Sequence, residues 1–322
     1  MSREADETSR RSFLKTAGGA TVATASITSL AGCGGGGGDG TDTDTDTEAD
    51  DGGDSDTQTE ADDGGGDTQT LRYGRGAHSS TLDPQNTTSG EVAKVTNQAY
   101  EGLIAFQPGE AALTESLATD WSVDGQSVSV TLREDVTFHD GTEFTADDFI
   151  ATYRRFVDED YEYYFEDASV YGPFTLGSWI DSIDAPGDYE LSITLTQEYA
   201  PFLRNLAMFT AVVISQDAIE GDTDLDEAMV GTGPFELETL DNSNNRIRLT
   251  AFDDYWGEAP NLDEVLFLTR GQNSTRAQAL VEEELDIIDG LDPDSMQIVD
   301  GSDSAETRTA TGINIGYMAF NL

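Results

Sequence analysis

Residues 130–156 read VTLREDVTFHDGTEFTADDFIATYRRF, and this stretch decides how the chain folds. Val130 and Leu132 alternate with Thr131 and Arg133, the period of a half-buried strand. Val136 and Phe138 resume the alternation after Glu134 and Asp135, which predicts a second strand. Asp140-Gly141 is a tight-turn dipeptide. Thr145, with Asp148 three positions on, supplies the side chains of a helix-capping box. Phe149, Ile150, Tyr153 and Phe156 then fall on one helical face. Strand, turn, strand, turn and capped helix follow one another with little slack.

Working outward, residues 71–74 predict a short strand, and Ser89 caps a helix to about Glu101 with Val92, Val95 and Ala99 inward. Asp124-Gly125 suits a hairpin turn. Residues 183–195 alternate through Pro186-Gly187 and read as a hairpin, and Pro201 opens a short helix to about Met208. Residues 231–235, GTGPF, set two glycines before a fixed-φ proline and predict a chain reversal. Residues 246–252, 265–269 and 313–322 read as strands, and 274–284 as a helix with Ala277, Leu280 and Val281 inward. The aromatic run Tyr161, Tyr163, Tyr164, Phe165, Tyr171, Phe174 and Trp179 reads as core or a mobile flap rather than a stacking platform for sugars or bases.

The formal net charge is −48. Residues 34–70 carry 13 acids and no bases, and residues 71–322 carry 48 acids against 12 bases, so the patterned part is itself strongly acidic. Nucleic acid and anionic membrane surfaces are excluded as partners by that field. Only Lys15 and Lys94 are lysines, against fourteen arginines. Acidic excess with scarce lysine resembles proteins of salt-loving archaea. In molar salt the Debye length is about 3 Å, short enough to screen the self-repulsion.

Ser9 to Lys15 is basic, residues 16–31 are mildly apolar, and Leu30-Ala31-Gly32-Cys33 follows. This is the layout of an export signal. Arg10-Arg11 with Phe13-Leu14 resembles a twin-arginine (Tat) signal. Leu-Ala-Gly-Cys resembles a lipobox, which implies that Cys33, the single cysteine, carries a lipid anchor on the outer face of the membrane. Residues 34–70 are low-complexity Gly, Thr and Asp with almost no apolar side chains, and read as a disordered tether spanning roughly 35 Å. Asp42, Asp44 and Asp46 imitate a calcium loop, but Thr47 and Gly53 stand where its glycine and glutamate belong.

Motifs for chemistry are missing. Gly74-x-Gly76-x-x-Ser79 approaches a dinucleotide fingerprint, but Leu82-Asp83-Pro84 follows where a helix is needed. No G-x-S-x-G, Walker loop, H-E-x-x-H or cysteine pair occurs. His78 and His139 fall in different elements, so no metal site is assigned, nor any cofactor or catalytic residue. Carboxylates are so abundant that no pair stands out as a hydrolase couple.

Residues 131–149 include LREDVTFHDGTEFTADDF, which resembles the signature segment of the family 5 extracellular solute-binding proteins. Tyr100-Glu101-Gly102-Leu103, Leu117-Ala118 with Trp121 and Asp124-Gly125, Gly231-Thr232-Gly233-Pro234-Phe235, Tyr255-Trp256 with Pro260 and Leu262-Asp263, and Leu285-Asp286-Ile287 extend the likeness over residues 71–322. The resemblance implies an α/β periplasmic-binding-protein-like fold. By that plan residues 71–90 and 201–310 form an incomplete lobe I, 91–200 an inserted domain II, and 311–322 the start of a crossover to a second lobe that this chain lacks. It also implies a monomeric, non-enzymatic receptor that captures di- or oligopeptides and hands them to the permease and ATPase subunits of an ATP-binding-cassette importer. Nickel, haem or oligosaccharide are alternative ligands in the family, and a tethered carboxylate hydrolase or adhesive protein is the competing class. The ligand contacts expected by the resemblance are Ala77, His78, Ser79, Phe235, Asn314, Gly316 and Tyr317. With half a receptor, residues 1–322 are expected to bind peptide weakly or not at all. One departure stands out. Glu283 occupies the place of a family glycine at a helix end, where left-handed backbone would cost about 1 kcal/mol, so the helix is expected to end differently.

Overall fold

The computed structural model describes residues 68–166 and 171–309. The export signal, Cys33, nearly all of the tether, and Asn314, Gly316 and Tyr317 lie outside the described residues.

Alternation places the first layer. Strands β1 (Thr70–Arg75), β2 (Ile104–Phe106), β3 (Leu113–Glu115), β4 (Ala118–Asp124), β5 (Ser127–Leu132), β6 (Ile180–Gly187) and β7 (Glu190–Leu195) precede Pro201. Of these, β4-β5-β7-β6 form an antiparallel four-stranded sheet. Val128 and Val130 of β5 lie opposite Ile193 and Leu191 of β7, and all four are buried. Helix α2 (Ala146–Val157) lays Phe149 and Phe156 on the same core. Its N-terminus is capped as expected, with the backbone N–H of Thr145 donating to Asp148 Oδ2 (2.8 Å).

Two details of this region differ from expectation. Residues 136–144 do not make a second strand. Only Thr137 and Glu143 bridge, around a turn with Gly141 at φ 82°. Phe138 and Phe144 are fully buried edge-to-face at 6.1 Å, and the bonds from Phe138 N–H to Thr142 O (2.8 Å) and from Phe144 N–H to Val136 O (2.9 Å) close the segment as a short loop. The β6–β7 turn falls at Asp188-Tyr189 rather than Pro186-Gly187, because β6 runs on through an irregular register to Gly187.

The second sheet has the order β11-β1-β10-β9-β8, built from β8 (Phe235–Asp241), β9 (Arg246–Ala251), β10 (Glu264–Thr269) and β11 (Ile287–Ile288) with β1. β10, β1 and β11 are parallel, and β8-β9-β10 is an antiparallel meander. Helix α1 (Gly90–Ala99), capped by Ser89, packs Val95 and Ala99 into one core with Phe235, Ile247, Leu249, Val265 and Phe267. Short helices α3 (Phe202–Asn205) and α4 (Gln216–Glu220) follow Pro201 and Ser215. Helices α5 (Asn273–Val281) and α6 (Pro293–Asp300) flank β11.

The expected alternative ending of α5 does not occur. Glu283 takes the left-handed conformation at φ 61°. Its N–H donates to Leu280 O (3.1 Å), and Glu284 N–H donates to Ala279 O (2.9 Å). These two bonds complete a Schellman cap, which satisfies carbonyls that would otherwise be orphaned and keeps a non-glycine residue in a strained place. Asp286 then bonds Arg72, through its N–H to the Arg72 carbonyl and its carboxylate to the guanidinium, and so locks β11 beside β1.

Candidate functional site

In open α/β sheets, ligands gather outside the carboxyl ends of parallel strands. Here β10, β1 and β11 end at one edge, so residues 76–79, 270–273 and 289–292 come together there. Two buried guanidiniums, those of Arg75 and of Arg276 in α5, bond the loops at this edge. Arg75, the last residue of β1, is fully buried and stands over Phe267, 5.4 Å from the ring centroid. Its Nη1 donates to Ser79 Oγ (2.8 Å) and to the Glu91 carbonyl (2.9 Å). Its Nη2 lies 3.4 Å from His78 Nδ1, and His78 Nε2 reaches Asn242 Oδ1 (2.9 Å) just past β8. Burial lowers the Arg75 pKa to about 10, which leaves it charged at neutral pH. Lys94 of α1 completes the cluster, 2.5 Å from Asp289 and 2.7 Å from Glu91. Burial works against the ammonium, but these two carboxylates outweigh it and raise the Lys94 pKa.

Three of the expected contacts therefore share one loop, with Ala77 exposed, His78 half-buried and Ser79 buried under Arg75. Phe235 does not join them. It is the first residue of β8, which runs in the same direction as β10, so it sits at the opposite edge of the sheet from His78. A strand of that length separates the two ends by about 20 Å. The Phe235 ring is buried in the core beside Ile247 and Leu249.

The GTGPF turn serves a different purpose. A Cβ on Gly231 would stand 2.0 Å from Ala99 O, and one on Gly233 would stand 2.7 Å from the Ala99 carbonyl carbon. The glycines permit close approach to the end of α1, where Gly233 N–H donates to Ala99 O (2.9 Å). His139 of the signature segment joins this contact: its N–H donates to Gly231 O (2.9 Å), and its Nε2 lies 3.0 Å from Gly233 O. Burial lowers the His139 pKa, against the carbonyl contacts that raise it. Beside it, Glu101 is bonded by Trp256 Nε1 (2.7 Å), Thr232 Oγ1 (2.9 Å) and Tyr255 OH (3.0 Å), and Arg133 lies 4.2 Å from the centroid of the Trp256 ring. Burial raises the Glu101 pKa even though those three donors favour its charge. The EGL, GTGP and YW motifs thus form one structural joint.

The loop after β1 is tied to α2 as well. Arg155 pairs with Asp83 at 2.6 Å and bonds Gln85 Oε1 (2.8 Å), both in the buried segment 82–85. Sequence reasoning missed Arg75, Lys94, Arg155, Asn242 and Arg276. Arg75 falls at a position the alternation of β1 marks as inward, where an arginine signals a buried polar network. No local pattern marks the others.

The family described as bacterial extracellular solute-binding proteins, family 5 Middle, matches residues 111–322. The dipeptide-binding protein of Escherichia coli is 28% identical over 272 residues, 79% of this chain and 51% of that protein. A periplasmic binding protein of Helicobacter pylori, solved with the peptide STSA, superposes with TM-score 0.68 at 32% identity, covering 73% of this chain and 49% of that one. A dipeptide-binding protein of Pseudoalteromonas, solved with Met-Leu, gives TM-score 0.67 at 29% identity, covering 73% and 50%. The chain spans about half the length of the relatives it matches. The periplasmic-binding-protein-like fold, the signature segment and the motif joint together place this chain in the family 5 extracellular solute-binding proteins.

Proposed function

We propose that this protein is the substrate-binding component of an ATP-binding-cassette importer, capturing peptides outside the cell and delivering them to a membrane permease. The observation that carries the reading is the likeness to a peptide-bound structure at 32% identity, in a chain whose parallel strands converge on one braced edge. In this reading Ala77 and His78 present ligand contacts, Ser79 holds their loop, and Asn314, Gly316 and Tyr317 contribute from the segment that follows. Residues 71–90 and 201–310 make lobe I and 91–200 the inserted domain, with Val95 and Ala99 of α1 packed on the core of the five-stranded sheet. The four-stranded sheet and α2 make the inserted domain. No chemistry is done on the ligand, and the protein acts as a monomer.

The anchoring is part of the proposal. Arg10-Arg11 and Leu30-Ala31-Gly32-Cys33 support export by the Tat route and a lipid on Cys33. Cys33→Ser should release the protein from the membrane fraction, and retention of the variant there would refute the lipid anchor. For the function itself, the test is calorimetry with di- and tripeptides in molar salt, using the protein encoded by the complete gene. Saturable binding without turnover is expected. Hydrolysis of the peptide, or no heat with any peptide, would overturn the reading.

A further inference from the structure

The side chain of Arg276 lies behind the candidate edge, and every group it bonds belongs to the loops that form that edge. Its Nη1 donates to Arg270 O (2.7 Å) and Gly271 O (3.2 Å), in the loop after β10. Its Nη2 donates to Asn273 Oδ1 (2.6 Å), to Asp289 O (3.2 Å) and, more weakly, to Gly290 O (3.5 Å), the last two in the loop after β11. A Cβ on Gly76 would stand 3.5 Å from Nη1, so the guanidinium also abuts the loop after β1. Arg276 is 2% exposed, and among the described residues it forms no ion pair. A buried cation without a carboxylate is costly, and here its charge is met almost wholly by backbone carbonyls.

We infer that Arg276 is the positioning residue of this edge: its planar fork fixes the 270–273 and 289–290 loops against Gly76 and so sets the spacing of the surface that a peptide meets. The inference rests on the reading of the edge as ligand-facing. Lysine cannot replace it, because one ammonium with three donors cannot span acceptors on two loops in a fixed plane.

The test compares Arg276→Lys with Val128→Ala, a cavity variant in the four-stranded sheet, both in the full-length protein in molar NaCl. Amide hydrogen exchange is followed at residues 271–273 and 289–291, and Met-Leu affinity is measured by calorimetry. Arg276→Lys should speed exchange in both loops at least about tenfold and weaken Met-Leu at least about tenfold, equivalent to about 1.4 kcal/mol. Val128→Ala should do neither, whatever it does to global stability. If Arg276→Lys does not fold, Asn273→Ala removes one acceptor of the same fork and should loosen the same loops. Equal loop exchange in the Arg276 or Asn273 variant and in Val128→Ala would overturn the brace, as would loosened loops with unchanged Met-Leu affinity. If the wild-type protein ignores Met-Leu and other peptides, the peptide reading fails while the exchange comparison still decides the brace.

Discussion

Replacing Glu283 by glycine should stabilise this protein. Glu283 stands at φ 61° in the Schellman cap of α5, where a Cβ costs roughly 1–2 kcal/mol and glycine costs nothing. Two terms oppose the gain. Glycine adds freedom to the unfolded chain, worth about 0.4–1 kcal/mol. The Glu283 charge also favours the Arg72 cation, but both are exposed enough that molar salt reduces this to a few tenths of a kcal/mol. Losing a carboxylate between Glu282 and Glu284 relieves repulsion of similar size. The net expectation is a gain of about 0.5–1 kcal/mol, or about 1–4 °C in Tm for a domain of this size. The assay is denaturant and thermal unfolding in molar salt, with Glu283→Ala as the control. Alanine removes the same charge but keeps the Cβ and the strain. Glu283→Gly should exceed Glu283→Ala by about 0.5–1 kcal/mol, the strain less the entropy that glycine adds to the unfolded chain. Equal stability of the two variants would refute the strain argument, because the strain would then be no larger than that entropy.

Arg155→Met should cost about 3–5 kcal/mol by leaving Asp83 charged, buried and unpaired, and urea unfolding checks it. Gly231→Ala should prevent folding or cost more than about 3 kcal/mol, since its Cβ would overlap the Ala99 carbonyl, and expression with circular dichroism reads this directly. Glu101→Ala should cost about 2–4 kcal/mol by stranding three donors, whereas Glu101→Gln, which can still accept from Trp256, should cost less. Burial sets the sign of the pH effect at Glu101. Its folded pKa is raised, so its contribution is fully present below the unfolded value and fades as pH rises through the folded one. Glu101→Gln should flatten that part of the stability–pH curve, and an unchanged curve would contradict the assignment. Finally, a chain of net charge −48 should lose ellipticity on dialysis from molar to millimolar salt, and an unchanged spectrum would refute self-repulsion as its weak point.

The capped helix at Thr145, the Asp124-Gly125 and Asp140-Gly141 turns and the strand pattern were legible in the sequence because each is a local matter of period, cap chemistry or glycine backbone. The family was legible for the same reason, since its motifs are contiguous. What the motifs do was not. Glu101, Thr232, Tyr255 and Trp256 are far apart in the chain, and only folding shows that they meet as a joint.

The candidate edge divides in the same way. The sequence placed His78 and its neighbours after a strand, and that alone suggested an exposed loop. It could not tell that β8 runs parallel to β10, which carries Phe235 to the far edge and brings Asn242 to His78 instead. Nor could it tell which loops Arg75 and Arg276 bond once inside. Strand direction and the partners of a buried charge are set by contacts between segments distant in the chain, which leave no local period to read. The sequence by itself determined the capped helices, the strands with clear alternation, the family and the acidic excess, and tertiary structure decided which residues stand together at the edge.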